Sequence, residues 1–211
     1  MPVVLDDKFA KQYWGLVDAC NGKQDQVFCQ STYIKYNKLG KNVEGGVCLA
    51  LSLVWNACGG SDGMFFDYIN TKDGIGRVRG TQLLYQLRLR GNIDVGFGAK
   101  DEVNRSLSAT GRSVKASKDG GNKGLSSPGQ IQKAVTFMKQ EAQYQLHYWG
   151  KGGGHAIAIK TDGMGRMKVF DPNAGMATFQ NGQTFATFLR NMLETNYSDL
   201  NRKWCCMRIK K

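Results

Sequence analysis

Long apolar runs, prolines, histidines and acidic residues are all scarce in this 211-residue chain. Its longest apolar run, Val47 to Trp55, is interrupted by Ser52. It falls far short of the roughly 20 residues that a membrane-spanning helix requires, so no transmembrane segment is expected. The N-terminus, Met1 to Lys8, has neither a basic leader nor a long apolar stretch, which argues against a secretory signal peptide. Proline at position 2 argues against N-myristoylation. No cysteine pair has Cys-x-x-Cys spacing and neither histidine neighbours a cysteine in a zinc-like pattern, so no metal is expected. Nothing marks a small secreted scaffold either, and the six cysteines are expected to be free thiols. The stretch Lys118 to Gly124 contains glycine and lysine without the spacing of a phosphate-binding loop. No cofactor follows from it.

Acidic residues number 17 against 29 lysines and arginines, a net charge of +12. Such a surface is drawn to anionic partners, of which a membrane surface is the one kept open. The charge is spread out, with no helix-turn-helix or RNA-recognition motif, and this disfavours nucleic acid. With 41% apolar residues the chain can bury one sizeable core. The expectation is a single domain over residues 1–211, with residues 1–40 as an N-terminal helical extension.

Apolar residues between positions 5 and 20 recur at near-helical spacing. A second helix is expected from Cys48 to the Gly59-Gly60 pair, and a third from Thr81 to Arg90, stopping at Gly91. From Gly91 to Ser127 the polar, glycine-rich chain reads as a surface loop or substrate-facing flap. Ser127 and Pro128 suit the cap and first position of a helix carrying Ile131, Val135 and Met138. After Ala142 the apolar period changes from about 3.6 to 2. Strands are expected at Tyr144–Trp149, His155–Lys160, Met167–Phe170, Met176–Phe179 and Trp204–Ile209, with a helix over Thr184–Tyr197. Cys205 and Cys206, alternating on the last strand, should place one side chain in the core and one outside. Helices followed by an antiparallel sheet make an α+β layout.

Three residues in this layout carry chemistry. Cys48 stands where a first helical turn begins, so the helix dipole and unpaired amides favour its thiolate and could receive an oxyanion. Gly45 and Gly46 would let a substrate backbone approach it. His155 follows Gly152-Gly153-Gly154 at the start of a core strand, whereas His147 lies mid-strand without such an opening. Asp171 comes 16 residues after His155, the separation of a hairpin turning near Asp162–Gly165. That hairpin returns the carboxylate beside the imidazole, where it could fix the tautomer. Thiol, imidazole and carboxylate are the parts of a cysteine nucleophile with its base and orienter.

Gly46-Val47-Cys48, Ala50-Leu51-Ser52 and Trp55, then Gly154-His155-Ala156, then Phe170-Asp171-Pro172-Asn173 with Gly175, resemble the YopT/AvrPphB cysteine peptidases. The resemblance runs in order over roughly residues 42–180. It implies a papain-like thiol peptidase fold, with a helical part carrying Cys48 packed on an antiparallel sheet carrying His155 and Asp171. It further implies a bacterial effector or toxin, kept in the bacterial cytoplasm and then secreted into a target cell, where it cuts a specific protein. Asn42, six residues before Cys48, stands where papain-like enzymes place an oxyanion-hole amide. Deamidases and amidases use the same triad through the same acyl-thioester, so they remain an alternative. A non-catalytic basic binding module is a second one.

Overall fold

The change of apolar period after Ala142 is where the chain passes from a mainly helical half into the strands of a sheet. The computed structural model describes residues 7–40, 43, 46–90, 95–108, 110–151 and 153–210. The first half comprises helix α1 (Asp7–Ala19), strand β1 (Lys23–Val27), and helices α2 (Gln30–Tyr36), α3 (Cys48–Ala57), α4 (Asp62–Ile69), α5 (Lys72–Arg90) and α6 (Val95–Ser108). The second comprises strand β2 (Ser113–Asp119), helix α7 (Gln130–Phe137), strands β3 (Ala142–Gly150), β4 (Gly153–Thr161), β5 (Met167–Asp171) and β6 (Gly175–Phe179), helix α8 (Gly182–Thr195) and strand β7 (Lys203–Lys210). The strands form one sheet in the order β1-β6-β5-β4-β3-β7-β2. Every neighbouring pair is antiparallel. No described helix is long and apolar enough to cross a membrane.

Alternation along the strands gives the sheet two buried faces. On one, Leu146, Ile157, Val169 and Cys206 meet Tyr13 and Val17 of α1, Val135 of α7 and Phe188 of α8. The other is covered by α3, whose Leu49 and Leu53 pack on Ala156, Cys205 and Met207. Its Ala50, Val54 and Trp55 join Ala158 and Phe170. A helix buried all round needs partners for its few polar side chains. Here Gln145 Nε2 donates to Ser52 Oγ (2.6 Å), and Asn56 Nδ2 donates to Gln145 Oε1 (2.8 Å). Leaving any of these groups unpaired in the interior would cost about 1–3 kcal/mol, so the pairs also fix how α3 sits on the sheet.

Tertiary packing overrides several local signals. The helix expected from Thr81 begins at Lys72 and runs through Gly74, Gly76 and Gly80. Each glycine weakens an isolated helix by about 1 kcal/mol, but Val78 and Gln82 are buried where α5 packs on α3 and α4. Its stop at Gly91 lies outside the described residues. The stretch read as a flap instead contains α6 and β2, with Val103 and Leu107 fully buried. Helix α7 starts at Gln130, not at Pro128: Gly129 is left-handed (φ 76°), and the Gln130 amide turns back onto the Ser127 carbonyl at 3.0 Å. Helix α8 ends at Thr195, leaving Tyr197 beyond it. Cys205 and Cys206 are both buried, because helices cover both faces of the sheet. All six cysteines are free. Residues 7–40 contribute α1 and α2 to these cores and β1 to the sheet edge.

Candidate active site

Cys48 is the first residue of α3 and is partly exposed. The chain reaches it through Gly46, whose φ of 117° suits glycine, and a Cβ there would lie 3.3 Å from the Gln30 side chain. Gln30 Oε1 accepts the amide of Val47 at 2.7 Å. Gly46 therefore lies close against Gln30; Gly45 lies outside the described residues. The His155 side chain and the backbone amides of Ala156 and Leu49 lie near the thiol and favour its ionised form. Ala156 lies on β4, so the start of the helix and the start of the strand meet at the sulfur.

His155 lies directly across from Tyr148 in the β3–β4 ladder, and Asp171 ends β5. The hairpin brings His155 Nε2 to 2.9 Å from Asp171 Oδ1. Asp171 is fully buried and His155 nearly so. The amide of Asn173 donates to the same carboxylate oxygen at 2.9 Å. The Tyr197 hydroxyl donates to Asp171 Oδ2 at 2.8 Å and lies 3.1 Å from His155 Nε2. Its ring stacks on the imidazole, with centroids 4.7 Å apart. With Nε2 so occupied, Nδ1 is the nitrogen left for the thiol.

The electrostatics follow from these contacts. Burial alone would lower the His155 pKa, but the charges and hydrogen bonds of Asp171 and Cys48 outweigh it and raise the value to about 10. Burial alone would raise that of Cys48; His155, with the Ala156 and Leu49 amides, lowers it instead. Both shifts favour a thiolate beside an imidazolium. Cys29 is also lowered, its burial outweighed by Ser31 and Thr32, yet it has no imidazole partner: the other histidine, His147, is held edge-on to Trp149.

The family profile for peptidase family C58, described as the Yersinia/Haemophilus virulence surface antigen, matches residues 17–204. The chain belongs to this family. It is thus a cysteine-peptidase-type chain related to bacterial virulence proteins. Among solved structures, the C58 chain is similar to the Pseudomonas avirulence protein AvrPphB, with TM-score 0.61 at 18% identity, over 82% of this chain and 95% of that one. It is also similar to PatoxP, a cysteine protease-like domain of the Photorhabdus asymbiotica toxin PaTox (TM-score 0.48, 13% identity, 97% and 59% covered). A third likeness is to the YopT domain of the Pasteurella multocida PfhB2 toxin (TM-score 0.32, 18% identity, 87% and 92% covered). No curated protein matches by sequence. The fold is the papain-like α+β arrangement.

Of the residues singled out from the sequence of this C58 chain, Cys48, His155 and Asp171 come together, while Asn42 lies outside the described residues. Gln30, Tyr197 and the Asn173 side chain, all bonded into the site, escaped sequence reasoning. So did Trp149 and Tyr85, which like Cys48 pack against the cluster of Leu49, Leu53 and Ala156. Only Asn173, two residues from Asp171, had a local signal. Tyr197 follows an amphipathic helix and Gln30 opens a short one, and neither position is distinctive in the sequence.

Proposed function

We propose that this chain is a cysteine peptidase in which Cys48 is the nucleophile, His155 the general base and acid, and Asp171 the orienter. The observation that carries this reading is the buried His155, bonded to Asp171 at Nε2 and coupled to the Cys48 thiol. The Cys48 thiolate attacks a peptide carbonyl carbon, and the carbonyl π electrons move to oxygen. The Val47 amide is committed to Gln30 and the Ala50 amide reaches Gln82 at 3.4 Å. The Cys48 amide, at the positive end of the α3 dipole, is the donor positioned to receive that oxyanion. Imidazolium gives its proton to the leaving amine as the C–N bond breaks. The ring then takes a proton from water, whose oxygen attacks the thioester; the acid departs and the thiolate returns. The substrate is a protein of a target cell, and the enzyme acts there as an exported bacterial effector or toxin.

The test compares wild type with Cys48→Ala on target-cell protein by terminal-peptide mass spectrometry. New termini that require Cys48 support the reading. Intact chains gaining about one mass unit would replace it with side-chain deamidation by the same acyl-thioester route. The appearance of neither new termini nor a mass gain that requires Cys48 would overturn it.

A further inference from the structure

A chain of hydrogen bonds leaves the candidate active site on the side away from the sulfur. Tyr197 Oη donates to Asp171 Oδ2 at 2.8 Å and accepts from Asn173 Nδ2 at 3.0 Å. Asn173 Oδ1 accepts from Gln30 Nε2, and Gln30 Oε1 accepts the Val47 amide at 2.7 Å. Thus the residue just before the nucleophile is joined to the carboxylate that orients the base, through side chains that bypass the imidazole.

A hydroxyl has one proton and two lone pairs. The Tyr197 proton points to Asp171 and one lone pair faces Asn173, so only a lone pair remains for His155 Nε2 at 3.1 Å. The other partner of Nε2, Asp171 Oδ1 at 2.9 Å, can likewise only accept. Both partners therefore require a proton on Nε2, which leaves Nδ1 as the basic nitrogen of the neutral ring. The Tyr197 ring, 20° from parallel to the imidazole, fixes its plane, and Tyr148 meets it edge-on at 5.5 Å. Tyr197 itself is buried, which keeps competing water from this side.

We propose that Tyr197, anchored through Asn173 to Gln30, is the positioning residue that holds His155 with Nδ1 toward Cys48 and couples the Asp171 carboxylate to the loop before the nucleophile. This inference rests on the Cys48–His155 reading above. Tyr197→Phe keeps the stacked ring and removes the hydroxyl. Asn173→Ala cuts the anchor while keeping the backbone amide on Asp171.

The experiment follows iodoacetamide alkylation of Cys48 by peptide mass spectrometry from about pH 5 to about pH 10, around the usual thiol pKa of about 8.5, and needs no known substrate. Tyr197→Phe is expected to move the onset of Cys48 reactivity toward the ordinary thiol range. The rate near pH 6 should fall about ten- to a hundredfold, the loss of one hydrogen bond to a charged group. The rates should converge with wild type in alkali, where the thiol ionises unaided. Asn173→Ala should shift the onset in the same direction by less. A wild-type profile in Tyr197→Phe overturns the proposal, and so does a uniform loss at every pH with a lowered melting temperature, the signature of a merely structural role. If Tyr197→Phe does not fold, the Asn173→Ala profile decides by the same criteria. His155→Ala separates the two claims. An unchanged Cys48 profile in that variant removes the thiol–imidazole reading itself, whereas a shift there with none in Tyr197→Phe removes the positioning role alone.

Discussion

His147 and His155 sit on adjacent strands of one sheet, both are buried, and they have opposite protonation behaviour. His147 lies across from Ala156 and Cys205, and His155 across from Tyr148, so their side chains project from opposite faces. His155 meets a carboxylate and a thiol and is raised to about 10. His147 meets apolar groups and the edge of Trp149, and its Nε2 is without a partner among the described residues. Burial, and then the charge of His155, lowers it to about 3. Burial penalises the charged ring at both sites, and only a partner of opposite charge reverses the outcome. A buried histidine is therefore a candidate base because of what faces it, and a one-residue offset across the ladder decides that.

The severest test of this contrast is removal of each ring. His155→Ala, like Cys48→Ala, is expected to cost on the order of 10⁶-fold in turnover, the scale of losing one member of a cooperating set. His147→Gln should stay within about threefold of wild type, since it touches no reacting atom. Turnover would be measured on whichever protein acquires new termini, and a comparable loss in both variants would break the distinction. Next comes the carboxylate: Asp171→Ala should cost roughly 10³–10⁴-fold. It should also lower the pH at which His155 loses its proton, moving the alkaline limb of the rate profile down.

Stability against pH should separate the two rings with smaller effects. Unfolded His147 takes up a proton near its ordinary value of 6.5, while the folded group resists down to about 3. Between those values the unfolded state binds more protons, so stability falls on acidification, by up to about 1.4 kcal/mol per pH unit. His147→Phe should flatten this acid slope in urea titrations, and an unaltered slope would count against a neutral, buried His147. For His155 the sign reverses. The folded ring keeps its proton above 6.5, so its stabilisation is complete below that pH and is lost as pH rises toward about 10. The lowered thiol of Cys48 acts in the opposite sense, so a Cys48→Ala background gives the cleaner alkaline slope. That slope should vanish on adding His155→Gln. The smallest effect is expected for Cys58→Ser: this thiol is pushed up by burial and lies away from His155, so Cys48 alkylation should keep its wild-type rate.

Much of the candidate site is legible in the sequence. The glycines before Cys48 and His155 and the 16-residue step to Asp171 are local features, and the hairpin they imply is the β4–β5 pairing that forms. The segment from Lys72 to Asp119 was harder. Its glycines weaken a helical signal, and α5, α6 and β2 exist because α3, α4 and β7 supply surfaces to pack against. Strand β1, with its short polar sequence Lys-Gln-Asp-Gln-Val, has no apolar alternation to betray it and is held by pairing with β6.

By itself the amino-acid sequence determined the helix that starts at Cys48, the strands that carry His155 and Asp171, and the spacing that sets imidazole beside carboxylate. All of these follow from periodicity and turn chemistry over about 20 residues or fewer. Only the tertiary structure decided that both faces of the sheet are covered, that burial lowers the pKa of His147 while its partners raise that of His155, and that Asn173 and Tyr197, with Gln30 behind them, gather at the Asp171 carboxylate. Those outcomes depend on groups far apart in sequence meeting in a medium of low polarity. Position there decides whether a burial cost is offset by an opposite charge, and no local pattern of residues records it.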